Sequence, residues 1–400
     1  MKLLSIALML AVATLSGVAY ADNESVKIGV LTDMSGPYAD VVGEGSVIAT
    51  QLAAEDCKAK ECKGMKIEVI PGDHQNRPDI GLQIARKWID VDHVDAMVDL
   101  TNSAIALGVA RMLKDKTHVI GLFSGPGTTK LANDACVPNG FKWMYDTYSL
   151  AVAPIKALKQ KGIKSIYIIT ADYAFGHQLE KDAMDTAKEV GIEVKGSVRH
   201  PLNNFDFSSF LMGAQASGAE AIVLANAGND TITALKQAAE FGLTKSHSIT
   251  ALLMMLTDVH AVGLEQAQGL TYVTGYYSDL NEQARSFAKR FEERHGRAPT
   301  MTQAGTYSAA LHYLRAVAKA GTTDGVKVGP VMREMKVSDD VIQSGYIRED
   351  GLLIHDMYLV QVKSPSESKR PWDYEKLIAT IPGDDAYSPL EKSTCPLLKQ

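Results

Sequence analysis

The sequence predicts an α/β fold built of two doubly wound lobes, each with a mostly parallel sheet. Short runs of β-branched apolar residues alternate with amphipathic helical windows along most of the chain, a pattern typical of repeated βαβ units. This alternation breaks near residues 141–148 and then starts again. The chain has 400 residues, more than one hydrophobic core usually serves, so we interpret the break as the start of a second lobe.

The first series of segments predicts a lobe with a parallel sheet. Each predicted strand is a short run rich in apolar residues, and each predicted helix carries apolar residues at helical spacing. The predicted strands are residues 26–31, 66–70, 96–99 and 118–122, and the predicted helices are residues 41–56, 79–91 and 103–116.

The second series repeats the same alternation and predicts the second lobe. Its predicted helices are residues 150–161, 176–190, 208–217 and 231–241, and its predicted strands are residues 165–170, 192–199, 221–225 and 248–256. After these segments the pattern changes. It then predicts a strand over residues 271–276, long helices over residues 282–295 and 302–320, and hairpin-like strands over residues 346–348 and 357–362.

The amino terminus has the pattern of a cleaved signal peptide, residues 1–21. Lys2 precedes a mostly apolar run over residues 3–18, and the small residues Ala19 and Ala21 mark a cleavage site. No cysteine lies near this site for lipid attachment, and no later window offers about 20 consecutive apolar residues. The sequence therefore predicts export to the periplasm without a membrane anchor.

Charge and composition exclude several classes of partner. The formal net charge is −6 and the isoelectric point is near 6.0, so nothing favours binding to nucleic acid or to an anionic membrane surface. Hydrophobic residues make up 46% of the chain, which is ordinary for a globular protein.

Four cysteines in an exported chain predict disulfides. Cys57 and Cys62 are close in sequence, which leaves Cys136 and Cys395 as the second pair. The second bridge would hold the carboxyl-terminal tail against the body of the protein. A zinc site is the competing interpretation, but no histidine lies close enough in sequence to complete a ligand set around Cys57 and Cys62.

Polar, glycine-containing turns follow strand after strand in both predicted lobes. Ligands of open α/β sheets bind at the carboxyl ends of the strands, because the following helices direct their amides there. We therefore expect a small carboxylate to bind at these turns, although any one of them taken alone is more often a connection or a helix cap than a binding site. The turns are residues 33–38, 101–103 and 124–127 in the first lobe and residues 172–176, 226–230 and 257–258 in the second.

The sequence offers no convincing catalytic or metal motif, and we expect a protein that is not an enzyme and needs no cofactor. Gly43 and Gly45 imitate part of a dinucleotide-binding motif, but the third glycine is missing and the segment lies too far beyond the first strand. Ser124 is displaced by one position from a hydrolase nucleophile motif. The acidic cluster at residues 90–95 is interpreted as solvated, so we predict no metal site.

The residues now support a resemblance to a known family. The strand ending at Leu31, followed by the turn Thr32 to Pro37 (TDMSGP), resembles the opening of periplasmic binding proteins of the branched-chain amino-acid type. Residues 172–177 (DYAFGH) resemble that family's entry to the second lobe, and residues 226–230 (NAGND) fall where its next ligand loop lies. The resemblance extends from about Val26 to Tyr358.

The resemblance implies two similar lobes joined by three hinge crossings, with the ligand between them. The crossings would fall near residues 145–149, 269–274 and 337–344. The first lobe would comprise residues 26–146 and 273–338, and the second lobe residues 147–272 and 339–400.

The resemblance also implies a set of binding residues. In the family the first lobe holds the ligand carboxylate and an aromatic residue of the second lobe closes over it. The matching residues here are Asn102, Ser103, Ser124 and Gly125 in the first lobe, and Tyr173 or Phe175 with Asn229 in the second.

The sequence departs from the family where amino-acid binders place an acid for the ligand ammonium group. Residues 253–256 are apolar, and the nearest acid is Asp258. With Tyr276 close by, this departure resembles the subset of the family that takes up aromatic acids. An aromatic or other organic acid is therefore the first hypothesis for the ligand, and an amino acid is the alternative.

The family resemblance implies a role in transport. The partners would be the permease and ATPase subunits of an ABC importer, which would receive the ligand after hinge closure. A periplasmic ligand sensor is the alternative from another class. A repressor would need a DNA-binding module and a receptor would need a membrane anchor, and the sequence pattern shows neither.

Overall fold

Two parallel sheets, each with helices packed against it, form the body of the protein. The structure is a computed structural model that describes residues 25–399. The predicted signal peptide, residues 1–21, lies outside the described residues. In the described part of the chain, no helix is long and apolar enough to cross a membrane. The two-lobed α/β fold predicted from the sequence is confirmed.

The first sheet has five parallel strands in the order β2-β1-β3-β4-β5. Hydrophobic clusters cover both faces of this sheet. The neighbouring residues Val30 and Leu31 of β1 point to opposite faces, and each belongs to a different cluster. The order reverses between β1 and β3, which creates a crevice at their carboxyl ends. The elements are β1 (Ser25–Thr32), α1 (Gly43–Ala59), β2 (Lys66–Asp73), α2 (Pro78–Asp90), β3 (Ala96–Asp99), α3 (Ser103–Leu113), β4 (Ile120–Phe123) and β5 (Gly140–Lys142).

The second sheet has four parallel strands in the order β7-β6-β8-β9. All four of its strands were predicted from the sequence. The elements are α4 (Thr147–Gln160), β6 (Ser165–Ala171), α5 (Ala174–Val190), β7 (Glu193–His200), α6 (Ser208–Ala216), β8 (Ala221–Ala225), α7 (Asn229–Glu240), α8 (Leu243–Ser246), β9 (Ser248–Ala251), α9 (Leu256–Val262) and α10 (Leu264–Ala267).

The predicted strand over residues 248–256 is wrong in its second half. The strand ends at Ala251, and the helix α9 begins at Leu256. The residues between them are apolar because Leu252 and Met254 are buried in hydrophobic clusters, not because they continue the sheet. An apolar run does not by itself distinguish a strand from another buried segment.

The last third of the chain adds a small antiparallel sheet, a hairpin and four further α-helices. The antiparallel sheet has the order β10-β13-β14, and β11 pairs with β12. The helices α8, α9, α10, α13 and α14 and the strands β5, β12 and β14 were not predicted. The elements are β10 (Thr271–Thr274), α11 (Glu282–His295), α12 (Met301–Ala320), α13 (Gly325–Glu334), β11 (Gly345–Ile347), β12 (Leu353–His355), β13 (Met357–Val362), β14 (Glu375–Ile381) and α14 (Gly383–Ala386).

The helices α11 and α12 return to the first sheet and pack on α1. Arg290 of α11 donates to both carboxylate oxygens of Asp56 in α1, at 2.7 and 2.9 Å. Tyr307 of α12 donates to the same carboxylate at 2.7 Å. The hairpin also reaches the first sheet, where the amide of Lys142 donates to the Gly351 carbonyl at 2.9 Å. The lobe boundaries given above stay a prediction.

Three distant parts of the chain contact Met144. Its carbonyl lies 2.7 Å from Nε2 of His355 and accepts a hydrogen bond of 2.7 Å from the hydroxyl of Tyr387. Gly275, which follows β10, approaches so closely that an added Cβ would lie 2.5 Å from the Met144 sulfur. Val337 forms an antiparallel bridge with Gly345 of β11, and the placement of the third crossing near residues 337–344 stays a prediction. The passage to the antiparallel sheet lies between β12 and β13.

Both predicted disulfides are present. Cys57 is bonded to Cys62, and Cys136 is bonded to Cys395. The zinc interpretation of Cys57 and Cys62 is therefore wrong. Within residues 25–399, no group of three or more potential ligands is placed to hold a metal ion.

Candidate functional site

A cavity lies where the carboxyl ends of the two parallel sheets face each other. Its walls come from the turns after the strands of both sheets, with additions from α12 and from the segment that follows β5. No acidic or basic side chain is among its lining residues. These are Tyr38, Val41, Val42, Thr101, Asn102, Ser103, Gly125, Pro126, Gly127, Tyr145, Tyr173, Phe175, Ala227, Gly228, Leu253, Met255 and Thr302.

The amino terminus of α3 supplies the polar part of the first wall. Asn102 caps this helix, because its side-chain oxygen accepts from the amides of Ala104 at 2.8 Å and Ile105 at 3.4 Å. Its side-chain nitrogen donates to Asn76 at 2.6 Å. The amide of Ser103 has no hydrogen-bond partner among the described residues. It is a free donor at the positive end of a helix, where anions bind well.

Gly125 forms the floor of the cavity and has no room for a side chain. An added Cβ would lie 2.1 Å from Oγ1 of Thr101 and 2.2 Å from Oδ1 of Asp99. The amide of Gly125 donates to the Asp99 carbonyl at 3.0 Å, and its carbonyl accepts from the Tyr145 hydroxyl at 2.5 Å. These bonds hold the main chain of the floor in one position.

Two aromatic residues at the start of α5 form the second wall and touch the first. The Tyr173 and Phe175 rings lie 5.8 Å apart, centroid to centroid. Phe175 packs on Gly127, where an added Cβ would lie 2.5 Å from its ring. The hydroxyls of Tyr38 and Tyr173 are hydrogen-bonded at 2.8 Å. Because Tyr38 follows β1 and Tyr173 follows β6, this bond joins the two sheets across the cleft.

The remaining wall is apolar. Leu253 and Met255 come from the segment between β9 and α9, and Val41 and Val42 come from the turn before α1. This apolar wall favours contact with the apolar part of a ligand. The polar groups of the cavity lie to one side, at the start of α3.

A buried acid lies directly under the floor. Asp99 is completely buried, and its Oδ1 accepts from both the hydroxyl and the amide of Thr101. Burial raises the pKa of Asp99 to about 6, although the hydrogen bonds from Thr101 oppose the shift. Asp99, Leu100 and Asn102 all have positive φ angles, of 71°, 62° and 76°, so this turn is strained.

The structure brings together five of the predicted site residues at the cavity, namely Asn102, Ser103, Gly125, Tyr173 and Phe175. Their binding roles stay predictions. The other predicted residues, Ser124, Asn229, Asp258 and Tyr276, do not line the cavity.

Each of these four residues has a position or a hydrogen-bond partner outside the cavity lining. The Ser124 hydroxyl bonds to that of Thr306 at 2.8 Å, inside the first lobe. Asn229 begins α7, and the two residues before it line the cavity instead. The Asp258 carboxylate accepts from the Met255 amide at 2.8 Å and so caps its own helix α9. The Tyr276 hydroxyl donates to the Ala284 carbonyl at 2.7 Å.

Sequence reasoning missed several lining residues. Tyr38 and Thr101 lie in turns that the sequence singled out, but their types gave no reason to choose them over their neighbours. Tyr145 lies in the segment where the alternation breaks. Thr302 comes from α12, far away in sequence, and no local pattern could have assigned it.

Comparison with known proteins gives a consistent result. A family model described as periplasmic binding protein matches residues 25–369. The Leu/Ile/Val-binding protein homolog 4 of Brucella abortus is 26% identical over 306 residues, which cover 73% of this chain and 72% of the relative.

Solved structures show the same likeness. A periplasmic binding protein from Burkholderia mallei is 45% identical with a TM-score of 0.90, covering 93% of this chain and 99% of the other. A branched-chain amino acid ABC transporter periplasmic ligand-binding protein from Burkholderia xenovorans is 39% identical with a TM-score of 0.83 and the same coverage. A solute-binding protein from R. palustris in complex with 4-hydroxybenzoate shares the fold, with 21% identity, a TM-score of 0.82, and coverage of 92% of this chain and 100% of the other.

Proposed function

The chain belongs to the periplasmic binding protein family, in the branched-chain amino-acid ABC transporter type, and on that premise we propose that its ligand is an aromatic carboxylate of benzoate size. The observation that carries the proposal is the lining of the cavity. It combines aromatic and aliphatic walls with one polar edge at the start of α3, and it presents no charged side chain.

The carboxylate would bind at the polar edge. The free amide of Ser103 and the dipole of α3 favour an anion there, and the Ser103 hydroxyl, which accepts from the Thr128 amide, keeps its own proton to donate. No lysine or arginine is required, because a helix amino terminus already carries partial positive charge.

The ring would lie among Tyr145, Phe175 and Met255. These side chains offer flat or adaptable apolar surface, which suits an aromatic ring better than a branched aliphatic chain.

An α-amino acid fits less well, because the acids near the cleft are already engaged. Asp33 accepts from the amides of Gly36 and Tyr38, and Asp258 accepts from the Met255 amide. Asp230 accepts from the amides of Asn203 and Asn204. A ligand ammonium group would enter the cavity without a carboxylate to pair with, which is costly in a buried site.

The cleft would close around the ligand. In the periplasm, the closed form would then dock on the permease of an ABC importer, which works with ATPase subunits. The Tyr38–Tyr173 hydrogen bond supports the closure, because it exists only when the two walls meet. The family and the fold are those of solute-binding proteins.

A thermal-shift screen tests the ligand class. Benzoate and 4-hydroxybenzoate are expected to raise the melting temperature, whereas leucine, isoleucine and valine are expected to leave it unchanged. A ligand at about 100 times its dissociation constant adds roughly 2.7 kcal/mol to the free energy of unfolding, which such a screen detects readily. A shift with the three amino acids alone would show that the proposed ligand class is wrong.

The tyrosine pair across the cleft provides a second prediction. Tyr38→Phe removes one partner of a hydrogen bond that forms only in the closed state, so ligand affinity is expected to fall about threefold to tenfold. Titration calorimetry with the best ligand of the screen measures the change. Tyr276→Phe is the matched control, because its hydroxyl bonds to Ala284 away from the cavity. Equal losses in the two variants would contradict the assigned role of Tyr38.

A further inference from the structure

We propose that Asp99 is a proton-linked determinant of ligand affinity: when Asp99 is ionised, a carboxylate enters the cavity with uptake of up to one proton by Asp99, which removes the repulsion between the two groups. The inference rests on the proposed function, since it concerns the same cavity and a carboxylate ligand. It assigns a role to a residue that does not itself line the cavity.

The first step is the position of the carboxyl group. Thr101 and Gly125 both line the cavity, and Oδ1 of Asp99 lies behind both of them. An added Cβ on Gly125 would come within 2.2 Å of that oxygen. A ligand atom resting on Gly125 is therefore separated from the Asp99 carboxyl by little more than one layer of protein atoms.

The second step is the lack of a counter-charge. Asp99 is completely buried, and the groups that lower its pKa are the neutral Thr101, Thr32 of β1 and Ser46 of α1. Its other oxygen, Oδ2, lacks a well-formed hydrogen bond in the described chain, although the Thr32 and Ser46 hydroxyls lie close beside the carboxyl. A proton on Asp99 would find acceptors in these two hydroxyls.

No cation is among the groups that shift the pKa of Asp99, but the buried ammonium of Lys142 lies nearby, 4.9 Å from the centroid of the Tyr145 ring, and donates to the Phe123 and Trp143 carbonyls. Burial lowers the pKa of Lys142 to about 7. Tyr145 faces Asp99 from beyond the floor, and burial raises the pKa of this phenol, so it is neutral at physiological pH. The helix α12 packs on β3, but its Arg315 pairs with Glu61 and its His312 bonds to the Met332 carbonyl.

Two further titratable groups belong to the same region. Asp33, which follows β1, is held by the amides of Gly36 and Tyr38, and burial raises its pKa. The helix α3 contributes Arg111, which is exposed in its last turn, far from the floor.

The third step is the energetic coupling. Two like charges within several ångströms of each other in a buried site repel strongly, so an anion in the cavity raises the pKa of Asp99 above its ligand-free value of about 6. Below that pH Asp99 is already protonated and the ligand meets no repulsion. As the pH rises above it, binding must draw a proton from solution, and affinity falls by up to tenfold for each pH unit.

The test is titration calorimetry of the full chain with benzoate, which stays ionised throughout, at pH 6 and pH 8. Each titration is run in two buffers with different ionisation enthalpies, so that proton uptake is measured directly. The wild-type protein is expected to bind about 10- to 100-fold more weakly at pH 8 and to take up a fraction of a proton, at most one, between these pH values. Asp99→Asn keeps the shape without the titration and is expected to show neither effect.

Two further variants keep the result interpretable. Thr101→Val removes the hydroxyl between Asp99 and the cavity, and it should weaken binding while the proton uptake persists. Asp33→Asn is the matched control for a second buried acid and should retain the wild-type pH dependence. Wild-type affinity that is independent of pH, or an Asp99→Asn variant that still takes up the proton, would overturn the proposal. Absence of benzoate binding at both pH values would instead refute the proposed ligand class.

Discussion

Gly125→Ala is expected to reduce ligand affinity by at least about 100-fold. The added Cβ would lie 2.1 Å from Oγ1 of Thr101 and 2.2 Å from Oδ1 of Asp99, far inside van der Waals contact. Both side chains are buried and short, so the floor itself must shift into the cavity. A displacement of this kind moves the backbone on which the ligand rests, and precise placement governs affinity. Titration calorimetry with the best ligand of the screen measures the loss.

The matched control is Gly329→Ala in α13. This glycine is also buried, but the nearest heavy atom to an added Cβ is the Pro138 carbonyl oxygen at 3.6 Å, which is ordinary contact. The control should bind ligand like the wild type. Overpacking of a core typically costs about 1–3 kcal/mol, so a melting curve should show Gly125→Ala to be folded but less stable. Wild-type affinity in folded Gly125→Ala would mean that the ligand does not rest on this floor.

Loss of the Cys136–Cys395 disulfide is expected to lower the free energy of unfolding by about 5 kcal/mol, as measured by chemical denaturation of Cys136→Ala/Cys395→Ala. The bond closes a loop with a sequence separation of 259 residues, so it removes much conformational freedom from the unfolded chain. It also ties the tail to the first lobe, where Ser393 donates to the Ala132 carbonyl at 3.0 Å.

The other disulfide supplies the control for this prediction. Cys57 and Cys62 are separated by 5 residues, and their loop lies within and just after α1. Chain entropy predicts a loss of only about 2 kcal/mol for Cys57→Ala/Cys62→Ala, less than half of the loss at the long loop. Equal or reversed losses would show that native-state packing, and not chain entropy, governs the contribution of these bonds.

Much of the fold was predictable because its signals are local. The alternation of β-branched runs with amphipathic windows depends only on the period of each element, and it located eight strands of the two parallel sheets. The strand β5 was missed because three residues, Gly140–Lys142, are too few to show a period. The end of β9 was missed because residues 252–255 are apolar like a strand. They are apolar because they are buried in hydrophobic clusters and in the cavity wall.

The candidate site was predictable only in part. Ser103, Gly125 and Phe175 line the cavity because each sits directly after a strand, where the fold itself assembles the site. Ser124 was chosen by the same rule, yet its side chain points the other way, toward Thr306. Neighbouring residues in a turn face different directions, and no sequence pattern states which one faces the ligand.

The sequence by itself determined the two-lobed α/β class, the order of most elements, the cysteine pairs and the turns from which the cavity is built. These features follow from residue type and from spacing along the chain. Only the tertiary structure decided which side chains of those turns meet, since contacts such as that between Tyr38 and Tyr173 join residues 135 positions apart. It also placed Asp99 behind Thr101 and Gly125, because the separation of a buried charge from a cavity depends on how strands and turns pack in three dimensions.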